Sequence, residues 1–298
     1  MMDESAIRES RQMLRQVHEH LLLAHQDLGA YRETISVVDV VHHPINPLPD
    51  FNYVTPRRNT AWVSGQYVKQ GLDRLRALGR TPRVQYVEGL FPPLFAKTLL
   101  DLGLELERET PLMIYRSSGA DTMLPPASSG ANSAGVQIQM VADQRGIEMW
   151  WYVWRNAFYD VLTLGVEPLV VGRDMAALLM GKHIDLLMMR HNFPIGVARL
   201  SVQESNKSAH LVALAMMKEA RTPERMRALL ASILRAALAR GCDLVFAPGE
   251  TEDDRRLCRE LGFIDVSSII CYIARSANSA ADQKEKHGTL VQPLLTLR

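Results

Sequence analysis

The sequence repeats one order of predicted elements twice, and this repeat limits the possible folds more than any other feature. Residues 65–116 and 224–275 each predict a helix, a short strand, a second helix and a long strand. A glycine follows the last apolar residue of each helix, where its missing β-carbon favours a left-handed C-cap. These glycines are Gly79 and Gly103 in the first window and Gly241 and Gly262 in the second. Their separations agree, 24 residues (103 − 79) against 21 (262 − 241), so we predict two copies of one β/α module.

The residues around these windows complete the predicted domains. Residues 117–135 are rich in Ser, Gly, Ala and Pro and lack hydrophobic periodicity, which is typical of a linker. Residues 183–217 predict three strands joined by turns at HNFP and ESNKS, and a strand and a helix precede them. The first copy has only residues 33–44 and 50–56 as candidate strands after its N-terminal helix. We predict a degenerate first domain at 1–116, a linker at 117–135, a second domain at 136–276 and a tail at 277–298.

The composition excludes several classes of function. The 34 Lys and Arg residues nearly cancel the 33 Asp and Glu residues, so no net charge attracts nucleic acid or an anionic membrane. No apolar run approaches the roughly 18 residues of a membrane span. The acidic N-terminus lacks the pattern of a signal peptide, and the three cysteines lack the spacing of metal ligands. We predict a cytoplasmic protein without a metal site.

The order of elements, with a G-L or G-F pair after the last helix of each copy, resembles the GNAT superfamily of acyl-CoA-dependent N-acyltransferases. The resemblance covers residues 135–276 well and residues 30–116 more weakly. It implies an α/β (α+β) fold of two tandem GNAT-like domains, each a mixed, mostly antiparallel sheet flanked by helices. It also implies that acetyl-CoA or another acyl-CoA is the cosubstrate.

In this family, a bulged strand leads into a glycine-containing loop and a helix whose N-terminal N–H groups bind the CoA diphosphate. The alignment places Arg221 on the family's arginine, but Glu224 and Met226 stand at the two glycine positions. Thr222 is predicted to cap the helix, and Pro223 occupies its first position. The resemblance implies the following cofactor-binding residues: Ala215, Met216, Met217 and Lys218 for the pantetheine arm, and Arg221, Thr222, Glu224, Arg225, Met226 and Arg227 for the diphosphate.

The catalytic positions also depart from the family pattern. Many members have a tyrosine four residues before the closing glycine, which protonates the departing thiolate; here that position is Cys258. The Cys258 thiol can donate a proton. Alternatively, Cys258 is a small residue of the core. The family's general base varies, and His210 and Glu204 are the candidates on the central strands. Each is alternatively an ordinary polar residue beside a turn.

One further pattern concerns the helix before the central strands. Trp150, Trp154 and Phe158 recur at i, i+4 spacing, with Trp151 beside them, which indicates a core stripe or an aromatic wall of an acceptor pocket.

These observations support two main hypotheses of function. The first is transfer of an acyl group from acyl-CoA to a small-molecule or peptide amine through the second domain, and the resemblance implies that this group is acetyl. The second is a catalytically silent GNAT-like module that binds a small ligand or a partner protein. An acceptor site between the two copies is a third hypothesis, and the sequence leaves the oligomeric state open.

Overall fold

The computed structural model describes residues 4–57, 63–117, 135–159 and 165–274. Most of the predicted linker and all of the predicted tail at 277–298 therefore lie outside the described residues. The described residues form two compact units. Unit 1 holds the residues up to Leu112 together with those from Val266 onward, and unit 2 holds Met113–Asp265. The predicted domain boundaries stay predictions.

Within the two repeat windows, the elements follow one another in the order that the repeat predicts. The first eight are α1 (Glu4–Asp27), β1 (Tyr31–Ile35), β2 (Val38–His42), β3 (Tyr53–Pro56), α2 (Gly65–Ala77), β4 (Arg83–Val87), α3 (Pro93–Asp101) and β5 (Leu104–Arg116). The remaining ten are β6 (Val136–Met140), α4 (Gln144–Tyr159), α5 (Pro168–Leu179), β7 (His183–Arg190), β8 (Phe193–Gln203), β9 (Ser208–Met216), α6 (Pro223–Ala239), β10 (Leu244–Pro248), α7 (Glu252–Glu260) and β11 (Ile264–Ala274). Helix α5 was not predicted.

The sheet of unit 1 has the strand order β1-β2-β3-β4-β11-β5. Its pairs are antiparallel for β1 with β2, β2 with β3 and β4 with β11, and parallel for β3 with β4. The single strand predicted at 33–44 is two strands, because Ser36 has a φ of 55° and turns the chain between β1 and β2. Strand β11 comes from the end of the second sequence copy but completes this sheet between β4 and β5.

The sheet of unit 2 has the strand order β5-β10-β9-β8-β7-β6, and it takes β5 residues from Met113 onward. Strands β6 to β9 pair antiparallel, whereas β9 and β10 are parallel. Helices α4 and α6 both pack against β8. The mixed, mostly antiparallel sheet with flanking helices confirms the predicted fold class.

The glycines that the repeat places at helix ends have left-handed backbones. Gly79, Gly103, Gly241 and Gly262 have φ values of 68°, 77°, 77° and 90°. After α6, the Cys242 N–H donates to the Ala237 carbonyl across the glycine, which satisfies a carbonyl of the last turn. The helices therefore end where the sequence predicts.

The core of unit 2 contains the tryptophans of α4. Trp150, Trp151 and Trp154 are buried, whereas Phe158 at the end of the helix is exposed. The Trp150 and Trp154 rings stack with centroids 5.5 Å apart. The core interpretation is confirmed for the three tryptophans.

Candidate functional site

Strands β9 and β10 separate shortly after they begin, which opens unit 2 at the end of its central strands. They pair in the described register at three positions, from Ser208 with Leu244 to His210 with Phe246. Strand β9 then continues to Met216 without further pairing to β10. Val212 is an extra residue in β9, because Leu211 pairs with Leu200 and Ala213 with Arg199. Such a bulge bends a strand and increases its twist, which turns β9 away from β10.

The residues predicted to hold the pantetheine arm lie along this opening. Ala215, Met216 and Met217 are buried and Lys218 is exposed. The Met217 N–H donates to the Ile195 carbonyl at 2.9 Å, so one edge of β9 is held by β8. Because backbone groups alternate in direction along a strand, the N–H groups of Leu214 and Met216 point to the opposite edge, toward the opening.

The N-terminus of α6 lies directly after β9, but the protein's own groups use its N–H donors. Thr222 Oγ1 accepts from the Arg225 N–H at 3.3 Å, which confirms the predicted cap. The Glu224 carboxylate accepts hydrogen bonds from its own backbone N–H and from the Thr222 hydroxyl, and these bonds lower the pKa of Glu224. Pro223 has no N–H. The first-turn donors that would meet a diphosphate are therefore already engaged.

The nearby arginines differ in what they contact. Arg225 donates to the Ala220 carbonyl at 2.7 Å and so ties the helix start to the preceding turn. Arg227 pairs with Glu260 of α7. Arg221 is exposed, and the described part of the chain provides no side-chain partner for its guanidinium. Met226 is buried and packs into the core. Of the three arginines, Arg221 is the one that an anion reaches without breaking an existing bond.

The candidate catalytic residues lie in three different surroundings. Cys258 is 3% exposed, and burial raises the pKa of its thiol to about 12, with Asp254 and Asp265 adding to the rise. Such a thiol is a poor proton donor at neutral pH, which weighs against the general-acid role. His210 is buried where β9 and β10 diverge, and its ring stacks on Phe246 at 4.4 Å. Glu204 is exposed in the turn before β9 and pairs with Arg240 at 3.3 Å.

The structure therefore brings together only part of the predicted site. Residues 215–227 form one continuous strand, turn and helix start, and His210 lies at the inner end of the same opening. Glu204 precedes the nine-residue strand β9, whereas the helix start follows it. A strand of that length spans roughly 26 Å, which separates Glu204 from the helix start.

The sequence analysis missed a buried charged cluster in unit 2. Arg199 of β8 is 1% exposed and donates to Asp185 of β7 at 2.7 and 2.6 Å and to Asp174 of α5 at 2.8 Å. Its guanidinium carbon lies 4.2 Å from the centroid of the Trp150 ring, and Trp151 Nε1 donates to Asp174 at 3.0 Å. Within the described residues, Arg199 Nη1 is buried without a hydrogen-bond partner. The cluster joins two strands to α4 and α5.

The cluster also perturbs ionisation. Burial acts to raise the pKa of Asp174, but the charges and hydrogen bonds of Arg199 and Arg173 outweigh it, so the pKa is below its usual value. Burial acts to lower the pKa of Arg199, but Asp185 and Asp174 raise it above its usual value. The signal was present in the sequence, because Asp185 and Arg199 interrupt strands that are otherwise apolar.

Solved structures share this architecture. A GCN5-related N-acetyltransferase from Kribbella flavida has a TM-score of 0.67 at 15% identity, over 90% of this chain and 98% of that chain. A tandem GNAT protein from the clavulanic acid biosynthesis pathway has a TM-score of 0.57 at 13% identity, over 81% of this chain and 79% of that chain. A GCN5-related N-acetyltransferase from Sphaerobacter thermophilus has a TM-score of 0.54 at 12% identity, over 80% of this chain and 81% of that chain. No family model and no curated protein matches the chain. The chain has the GNAT fold.

Each unit contains a short parallel strand pair. In unit 1, β3 and β4 pair at Val54 and Val84, just as β9 and β10 pair briefly in unit 2. This duplication agrees with the tandem GNAT arrangement that the repeat predicts. No described helix is both long and apolar enough to cross a membrane. The described residues contain no group of three or more His, Cys, Asp or Glu side chains that could hold a metal ion.

Proposed function

We propose that unit 2 binds acyl-CoA between β9 and β10 and transfers its acyl group, acetyl in the first instance, to an amine of a small molecule or peptide. The observation that carries this proposal is the separation of β9 from β10 after three paired positions, with the Val212 bulge on β9. The opening exposes a strand edge to an extended ligand. The outward N–H groups of Leu214 and Met216 are suited to the amide carbonyls of a pantetheine arm.

The reaction requires few groups from the protein. The amine nitrogen attacks the thioester carbonyl and loses a proton, a C–N bond forms, the C–S bond breaks, and the CoA thiolate takes up a proton from water. His210 is the predicted residue at the inner end of the opening, and we propose it as the base that removes the amine proton. Its ring is held by the Phe246 stack. Cys258 is not proposed as the acid, because its thiol is buried with a pKa of about 12.

The diphosphate part of CoA fits less well than the pantetheine part. Glu224 is exposed at the helix start and places a carboxylate where the diphosphate would bind. Like charges that lie close together repel each other, so this carboxylate weakens the binding of a diphosphate. Arg221 offsets part of this repulsion. We therefore propose binding that is weakened by Glu224 but retained.

Isothermal titration calorimetry with acetyl-CoA, CoA and a longer acyl-CoA tests the proposal. The natural chain is compared with Glu224→Gly, which removes both the carboxylate and the β-carbon. A matched control is Asp253→Asn, which removes an exposed first-turn carboxylate from α7 instead. We expect acetyl-CoA to bind the natural chain, Glu224→Gly to bind it about fivefold or more tightly, and Asp253→Asn to bind it unchanged. If neither the natural chain nor Glu224→Gly binds any of the three ligands while circular dichroism shows both folded, the proposal is wrong.

The second candidate is a catalytically silent module that uses the GNAT fold to bind another ligand or a partner protein. The engaged N–H donors of α6 and the buried Cys258 favour it. The calorimetric result that removes the first proposal would support this one.

A further inference from the structure

The backbone N–H groups in the first turn of α6 already have acceptors within the protein. Pro223, at the start of the helix, has no N–H. The Glu224 N–H donates to its own carboxylate, and the Arg225 N–H donates to Thr222 Oγ1 at 3.3 Å. The Met226 N–H donates to the Thr222 carbonyl at 3.0 Å. A helix N-terminus binds an anion through N–H groups that lack such partners. The protein's own oxygen atoms therefore take the places of the anion's oxygen atoms.

The side chains at this helix start also disfavour a diphosphate. Met226 is 7% exposed and packs into the core of unit 2, so its side chain occupies space that a glycine would leave open. Glu224 is exposed, and Glu219 adds a second exposed carboxylate in the turn before the helix. Two nearby carboxylates repel a group that carries two negative charges. The part of the site that would hold the diphosphate of CoA is therefore the part that fits it least.

The strand edge for the pantetheine arm, in contrast, is available to a ligand. Strand β9 continues to Met216 after its last described pair with β10 at His210. Strand β8 holds the other edge, where the Met217 N–H donates to the Ile195 carbonyl at 2.9 Å. The N–H groups of Leu214 and Met216 therefore point toward the opening. This edge can bind the amide carbonyls of any pantetheine thioester, whether or not a nucleotide follows the arm.

Arg221 supplies one positive charge between this edge and the helix start. It is exposed, and the described part of the chain provides no side-chain partner for its guanidinium. Arg225 already donates to the Ala220 carbonyl, and Arg227 pairs with Glu260. A guanidinium binds phosphate oxygens well. One such cation balances the charge of a single phosphodiester, but it leaves a diphosphate with excess negative charge beside the carboxylates.

We infer that the preferred acyl donor of unit 2 carries its acyl group on a phosphopantetheine arm that ends in one phosphate, without the second phosphate and the nucleotide of CoA. Acyl-CoA remains a weaker ligand. Free acyl-phosphopantetheine and the same arm attached to a carrier protein both have this chemistry. The inference rests on the proposed function, because it uses the same opening and the same reaction. The amine nitrogen forms the C–N bond and loses a proton to His210, the C–S bond breaks, and the phosphopantetheine thiolate takes up a proton from water.

Calorimetry on the full chain with three donors tests the inference. The donors are acetyl-CoA, acetyl-phosphopantetheine and acetyl-pantetheine, which share the acetylated arm. We expect acetyl-phosphopantetheine to bind at least as tightly as acetyl-CoA. A helix start with available N–H donors would instead favour acetyl-CoA by about tenfold or more, because a hydrogen bond to a charged group contributes that much. Tighter binding of acetyl-CoA would overturn the inference and leave the proposed function intact. No binding of any donor to the folded chain would overturn both.

Two variants show whether the named residues cause this preference. Arg221→Gln should weaken acetyl-phosphopantetheine by about fivefold and leave acetyl-pantetheine, which has no phosphate, unchanged. Glu224→Gly removes a carboxylate and releases an N–H group, so it should shift the preference toward acetyl-CoA. The control Asp253→Asn on α7 should leave the preference unchanged. Equal weakening of both pantetheine ligands in Arg221→Gln, or an unchanged preference in Glu224→Gly, would overturn the inference.

An acetylated acyl carrier protein distinguishes the two sources of the arm. Its binding to the full chain is measured by biolayer interferometry beside the calorimetry of free acetyl-phosphopantetheine. Tighter binding of the carrier protein would support a protein-bound donor, and tighter binding of the free compound would support a small-molecule donor. Weaker binding of both than of acetyl-CoA would overturn the inference.

Discussion

Replacement of Arg199 by Met is expected to destabilise unit 2 strongly. Met keeps the apolar stem beside Trp150 but removes the three hydrogen bonds to Asp185 and Asp174. These carboxylates are only 1% and 2% exposed, so water cannot replace the lost partner. Removal of one partner from a buried ion pair costs about 3–5 kcal/mol. Arg173 still contacts Asp174 at 3.1 Å, which places the expected loss in the lower half of that range.

The loss should depend on pH in a defined direction. In the natural protein the pKa of Asp174 is below its usual value of 3.8, so its contribution is present above that pH and is lost as the pH falls through the folded-state pKa. In Arg199→Met, burial without this cation raises the pKa of Asp174, so the folded variant is favoured by protonation. The difference in unfolding free energy should therefore be larger at about pH 8 than at about pH 5.

Urea unfolding followed by tryptophan fluorescence measures both effects, because three of the four tryptophans are in α4. Arg240→Met is the matched control, since Arg240 forms an exposed pair with Glu204 at 3.3 Å. Such pairs contribute about 0–1 kcal/mol. A loss below about 1 kcal/mol in Arg199→Met, or an equal loss at both pH values, would refute the reasoning.

Two further predictions concern unit 1. Gly71→Ala places a β-carbon 2.8 Å from Val54 Cγ1, and overpacking of this kind lowers the free energy of unfolding by about 1–3 kcal/mol. In the control Gly172→Ala of unit 2, the β-carbon meets no atom within 4 Å, and the free energy of unfolding should rise by up to about 1 kcal/mol. Equal effects of the two substitutions in urea unfolding would contradict this prediction. His25, whose Nδ1 lies 2.9 Å from the Tyr53 hydroxyl, has its pKa lowered from 6.5 to about 4 by burial. The free energy of unfolding therefore decreases as the pH falls from 6.5 toward 4, by up to about 3 kcal/mol. In His25→Gln, urea unfolding at several pH values should show a weaker dependence of this free energy on pH. An unchanged pH dependence would show that His25 is not its source.

Local signals in the sequence predicted the local elements of the fold. The start of α6 was predicted from two adjacent residues, Thr222 as the cap and Pro223 with its fixed φ angle. The structure shows Thr222 as the N-cap and Pro223 in the first turn. The turn at HNFP is formed by His191 and Asn192, which have positive φ values, and asparagine tolerates that region better than most residues. Each of these signals acts over a few neighbouring residues.

Features that depend on distant residues were not predictable in the same way. The Arg199 cluster joins residues that are 14 and 25 positions apart, so no single window contains it. The hydrogen bonds of Glu224 and Thr222 at the helix start depend on side-chain rotamers, although the absence of glycine was visible. The exchange of β5 and β11 between the units requires pairing across more than 150 residues, which periodicity does not encode.

This exchange determines when each unit can be finished during synthesis. Unit 1 includes strand residues from Val266 onward, which follow Leu112 by 154 positions (266 − 112). At 5–20 residues per second, the ribosome adds Val266 roughly 8–30 s after Leu112. During that interval β4 and β5 have been made but the strand that separates them has not. Unit 1, which contains the N-terminal helix, is therefore the last of the two units to be completed.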